Sequence, residues 1–118
     1  SSPFALTEAQ KKELETLRRA YMAEAIPIRT GLFALKIELR HLLSDPNVQP
    51  QILFEQQRKI SAFQAKLEEL SLSYRVNVRS IFTKEQLERL PQGWMFEMGL
   101  GYEIPMMDQG RRSRKGFQ

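Results

Sequence analysis

One histidine and no cysteine occur among the 118 residues, which sets narrow terms for any site chemistry. His41 has Glu38 three positions before it and Asp45 four after, so on a helix the three side chains share one face. An imidazole with two carboxylates is the beginning of a site for zinc or another transition metal. A closed site usually takes three or four nitrogen or sulfur ligands, with carboxylates as supplements, so a second copy of His41 from another chain would have to complete it. The competing role for His41 is simpler: a protonated imidazole near a helix C-terminus interacts favourably with the helix dipole.

The second chemical candidate is the run Trp94-Met95-Phe96-Glu97-Met98, followed by Gly99, Gly101, Ile104, Pro105, Met106 and Met107. Clustered thioethers are ligands for soft ions such as Cu(I). Met and aromatic side chains are also good packing material for apolar strips left uncovered elsewhere, and that is the expectation here. Catalysis finds little foothold. The sequence has no Gly-rich phosphate loop, no Ser/His/Asp arrangement and no thiolate nucleophile. Glu68-Glu69 and Glu13-Glu15 lie at spacings that do not face one another on a helix, so paired-carboxylate chemistry lacks its geometry. The chain is expected not to be an enzyme.

The net charge is +4, with 18 Lys and Arg against 14 Asp and Glu. Arg111, Arg112, Arg114 and Lys115 supply the whole excess, and the first 110 residues hold 14 basic and 14 acidic groups. A balanced body gives no phosphate-tracking face, so nucleic acid is not an expected partner. Charged residues at 27% and hydrophobic residues at 42% are ordinary for a globular domain. No apolar run approaches the roughly 20 residues of a membrane span.

The elements that carry these residues follow from two apolar series of period seven. Leu14, Tyr21, Ile28, Leu35 and Leu42 form the first, with Ala25, Leu32 and Leu39 in adjoining rows. Leu53, Ile60, Leu67, Tyr74 and Ile81 form the second, with Phe63, Leu70 and Val78 beside it. Both are helical periods. Between them, Ser44-Asp45-Pro46-Asn47-Val48-Gln49-Pro50 is built of turn formers and helix stops. Folded about that turn, Leu42 falls opposite Leu53, Leu35 opposite Ile60, Ile28 opposite Leu67, Tyr21 opposite Tyr74 and Leu14 opposite Ile81. One register holds over five heptads, which predicts a long antiparallel helical hairpin.

Pro27 interrupts the first arm. A mid-helix proline removes a hydrogen bond and costs on the order of 3 kcal/mol, so a kink or break near Ala25 to Pro27 is expected, with a separate N-terminal helix hooked across the hairpin. The sequence reading is therefore all-α: a hooked N-terminal helix, two long arms and a short fourth helix over residues 1–90, then an irregular tail over 91–118 that is first apolar and then basic. The narrow seam leaves Met22, Ile26, Phe33 and Ile37 on the first arm and Leu72 and Val76 on the second without cover. They predict a contact surface, for client chains or for a second copy in a homodimer.

Leu6-Thr7-Glu8-Ala9-Gln10 and Phe82-Thr83-Lys84-Glu85-Gln86 share the pattern apolar-Thr-x-x-Gln, which is a capping box. The Thr hydroxyl accepts from the backbone three residues on, and the Gln side chain reaches back to the Thr N–H. Each Thr starts a helix. Two such boxes at the ends of a helical hairpin, 76 residues apart, resemble the LTxxQ motifs of the Spy/CpxP superfamily of small envelope-stress proteins, over about Leu6 to Leu90 and with Phe82 replacing Leu in the second copy. Ile28-Arg29 through Leu35 to Glu38-Leu39-Arg40-His41-Leu42-Leu43 is similar to the zinc-resistance-associated and heavy-metal-sensor branch. The resemblance implies a periplasmic location, with any leader absent from the sequence given, and a hooked hairpin that dimerises or assembles further. It also implies no enzymatic activity and no required cofactor, with zinc or another transition metal as a candidate ligand. The implied role is an ATP-independent chaperone for unfolded clients, or a metal-responsive sensor or buffer that partners a signalling system; a purely structural homo-oligomer is the remaining expectation.

Overall fold

The structure, a computed structural model, describes residues 5–95. Among them the order is α1 (Glu8–Ser44), α2 (Pro50–Ile81) and α3 (Lys84–Arg89), with no strand. The chain divides into two compact units. One is made of Ser1–Met22 with Ser71–Gln118 and the other of Ala23–Leu70. Within each unit a stretch of α1 packs against a stretch of α2 running the other way, so the hairpin expected from the two apolar series is present.

The reversal lies in the second unit and is chemically specified. Asp45 Oδ1 accepts from the Asn47 backbone N–H at 2.9 Å, an Asx turn of the sort that competes with helix continuation. Its own backbone carbonyl accepts from Val48 N–H at 3.2 Å. Pro50 is the first residue of α2, where its missing N–H costs nothing and its fixed φ suits the first turn.

The core is the expected seam. Tyr21, Ala25, Ile60, Leu67, Tyr74 and Val78 are buried, together with Phe82 beyond the end of α2. Tyr21 and Tyr74 meet directly, with ring centroids 4.6 Å apart and planes 17° from parallel. This contact confirms the predicted register in the first unit.

The separate hooked N-terminal helix is corrected. α1 runs unbroken from Glu8 to Ser44 through Pro27, so residues expected in the hook are its first turns, and α3 is the third helix rather than the fourth. The reason lies in which face Pro27 occupies. Pro27 and Ala23, the residue whose carbonyl loses its partner, are both exposed. Water can satisfy that carbonyl, and the seam residues on the opposite face continue to favour helix on both sides of the proline.

Past α3, a turn over Pro91 to Trp94 is closed by Trp94 N–H donating to the Pro91 carbonyl at 3.0 Å. Gly93 sits at φ 86° in its third position, a left-handed conformation that costs an L side chain roughly 1–2 kcal/mol. The turn brings Trp94 edge-on to Phe82, at 5.6 Å between centroids and 83° between planes. The expected irregular tail, including the Met98, Met106 and Met107 thioethers and the basic residues 111–115, lies outside the described residues apart from its first five positions.

Candidate functional site

Both capping boxes form. Thr7 Oγ1 accepts from Gln10 N–H at 3.0 Å while Gln10 Oε1 accepts from Thr7 N–H at 2.9 Å. Thr83 and Gln86 repeat the arrangement at 3.1 and 2.9 Å. What the sequence did not disclose is that the two boxes join. Gln10 Nε2 donates to Gln86 Oε1 at 2.7 Å and to the Ile81 carbonyl at 3.0 Å. Gln86 Nε2 donates to Gln10 Oε1 at 3.2 Å and to the Ala5 carbonyl at 3.2 Å. A pair of helix starts far apart in sequence thus becomes one polar clasp, with Gln10 buried and Gln86 half-buried.

In the same unit, Tyr21 Oη and Ser71 Oγ share a buried hydrogen bond of 3.0 Å. Beside the stacked tyrosines, Arg18 grips Glu15 with two nitrogens at 3.1 and 2.8 Å and places a third against Met22 Sδ at 3.0 Å. Arg19 adds a further bond to Glu15 at 3.1 Å. The Arg18 guanidinium is the main reason the Glu15 carboxyl lies below its ordinary pKa range, with Arg19 adding to it. Burial pushes the Tyr74 phenol above its ordinary value, partly opposed by the Arg18 charge.

In the second unit one buried polar residue interrupts the apolar seam. Gln56 Nε2 donates to the Leu35 carbonyl at 3.0 Å and to Glu38 Oε2 at 3.1 Å. Its position could have been found: it lies one turn from both Leu53 and Ile60, on the buried row. Gly31 makes a different allowance. A Cβ there would stand 2.6 Å from the Phe63 ring, so the missing side chain is what lets that ring lie over α1.

Of the six residues expected to lack cover, Ile26, Phe33, Leu72 and Val76 are exposed and Met22 and Ile37 are half-buried. The structure adds Leu43, Ile52, Phe54 and Phe63 to the exposed large apolar side chains. Six of these eight belong to the Ala23–Leu70 unit, and Phe33 and Phe54 expose 67% and 66% of their surface. Exposed cations stand among them at Lys36, Arg40, Arg58, Lys59 and Lys66. Among the described residues no side chain covers these two phenylalanines.

The metal candidates do not gather into a ligand set within the chain. Glu38 is engaged by Gln56, Asp45 holds the turn through Asn47, and His41 is exposed in the last turn of α1. Among the described residues no three His, Asp or Glu side chains are grouped closely enough to hold an ion. One imidazole with two carboxylates already in other hydrogen bonds does not fit a closed transition-metal site.

No family model, curated protein or solved structure matches this chain. Among the described residues no helix is long and apolar enough to cross a membrane.

Proposed function

We propose that this protein is a non-enzymatic holding chaperone, located in the periplasm, that shields unfolded clients on the exposed apolar residues of its hairpin without ATP. The observation that carries the proposal is the exposure of Phe33 and Phe54 together with Ile26, Leu43, Ile52 and Phe63 in one unit. Large apolar side chains left exposed mark an interaction surface where they adjoin, and here they are interspersed with exposed charges of both signs. Rigid helices that present such side chains lose little conformational entropy when a client arrives. The location and the stress role rest on the resemblance to the LTxxQ proteins.

The same residues support self-association, and the proposal includes a homodimer that exchanges with client-bound forms. Aggregation of a chemically unfolded client, followed by light scattering without nucleotide, is the test. Suppression near equimolar ratio is expected. An undiminished aggregation rate at several-fold excess of this protein would overturn the proposal.

A further inference from the structure

The sulfur of Met22 has a charged neighbour that is held in place. Arg18, one turn earlier on α1, donates from Nη1 to Met22 Sδ at 3.0 Å. Its Nε and Nη2 are both bonded to Glu15, at 3.1 and 2.8 Å, and Glu15 is steadied in turn by Arg19 at 3.1 Å. The guanidinium is therefore anchored against the sulfur. Met22 itself is half-buried, so part of its side chain still meets water.

A thioether sulfur is a weak hydrogen-bond acceptor and a nucleophile open to oxidation. Its two lone pairs lead to different products. Oxygen added at one or the other makes the sulfur a stereocentre, and the two sulfoxides are epimers that are repaired by different enzymes. Here the Arg18 N–H occupies one lone pair. A gap of 3.0 Å between nitrogen and sulfur leaves no room for an oxygen, which itself needs about 2.8 Å from the nitrogen.

We infer that Met22 is a site of oxidation by hydrogen peroxide, attacked only on the lone pair turned away from Arg18. That lone pair forms the S–O bond with one peroxide oxygen as the O–O bond breaks. The proton on the bonded oxygen passes to the departing hydroxide, which leaves as water. Sulfur is oxidised by two electrons and the peroxide reduced by two. The product is a single epimer, polar where the thioether was apolar, with the Arg18–Glu15 pair undisturbed. A single epimer also fixes the partner that reverses the change, since only one of the two classes of methionine sulfoxide reductase acts on it.

The test follows that stereochemistry in the full chain. The protein is treated with hydrogen peroxide, either folded or unfolded in urea, and then digested with trypsin. Cleavage after Arg19 and Arg29 releases a peptide of residues 20–29 in which Met22 is the sole methionine. Portions of the digest are given to each epimer-specific reductase, and the remaining sulfoxide is read by mass spectrometry. From folded protein one reductase should restore about tenfold more Met22 than the other; from unfolded protein the two should restore similar amounts. Arg18→Leu keeps a good helix former in α1 and should bring the folded protein to the even ratio. Glu15→Ala, which frees the guanidinium from its anchor, should give an intermediate one. An even ratio from the native folded chain, a preference that survives Arg18→Leu, or a Met22 that stays reduced when folded while the unfolded chain is oxidised would each overturn the inference.

Discussion

The side-chain amides of Gln10 and Gln86 lie head to tail, each donating to the other's oxygen, at 2.7 and 3.2 Å. Each oxygen also accepts from its own cap threonine N–H. Each nitrogen also donates to a backbone carbonyl, Ile81 for Gln10 and Ala5 for Gln86. Both amides therefore use two acceptor and two donor positions, the full capacity of the group. A flipped amide would set oxygen against oxygen, so the orientation is determined by the partners.

Because the clasp is saturated, removing half of it strands the other half. Gln10→Ala should cost about 2–3 kcal/mol in urea denaturation, since the Ile81 carbonyl and the Gln86 amide lose partners in a partly buried site. Gln10→Glu should cost a similar amount at neutral pH, because a carboxylate cannot donate to either acceptor. Gln10→Ala with Gln86→Ala should cost clearly less than the two single changes together. Strict additivity would show that the boxes act independently.

Gly31→Ala sets two effects against each other. Alanine is favoured over glycine in a helix by about 1 kcal/mol, but the new methyl would stand 2.6 Å from the Phe63 ring. The substitution should be neutral or destabilising in the native chain and stabilising by about 1 kcal/mol when Phe63→Ala removes the ring. Thermal melts of the four proteins in this cycle measure the difference. A stabilising Gly31→Ala in the native background would show that the ring yields freely.

Tyr74 predicts an alkaline limit. Burial raises its pKa above 10.0, so folding favours the neutral phenol. That contribution is complete below about pH 10, the unfolded tyrosine value, and is lost as pH rises through the raised pKa. Tyr74→Phe keeps the ring for stacking on Tyr21 and should flatten the loss of stability above pH 10 relative to the native chain. Parallel slopes in the two proteins would locate the alkaline sensitivity elsewhere.

Phe33→Ser with Phe54→Ser separates contact surface from scaffold. Both rings are exposed, so stability should change by no more than about 0.5 kcal/mol for each. Client protection in the light-scattering assay should fall several-fold. Unchanged protection with unchanged stability would remove these residues from the contact surface.

The hairpin was legible because it needed only period and register. Tyr21 and Tyr74 are opposite one another for the same reason that Leu35 and Ile60 were paired: a seven-residue repeat folded about a proline-bounded turn. The capping boxes were equally local. Their union was not, because each box is complete by itself and only the third dimension brings Gln10 to Gln86. Pro27 misled for a physical reason, since its general cost ignores whether the orphaned carbonyl faces water. Gln56 carries no apolar signal of its own, although its spacing from Leu53 and Ile60 places it on the seam.

The position of the clasp has a mechanical consequence. It joins the first turn of α1 to the chain just beyond α2, so tension that draws those two points apart loads its hydrogen bonds before any seam contact. Under such a load the bonds of Gln10 and Gln86 break nearly together, and the stacked tyrosines come under strain only afterwards. Opening from this end should therefore begin with one abrupt yield rather than a gradual peel.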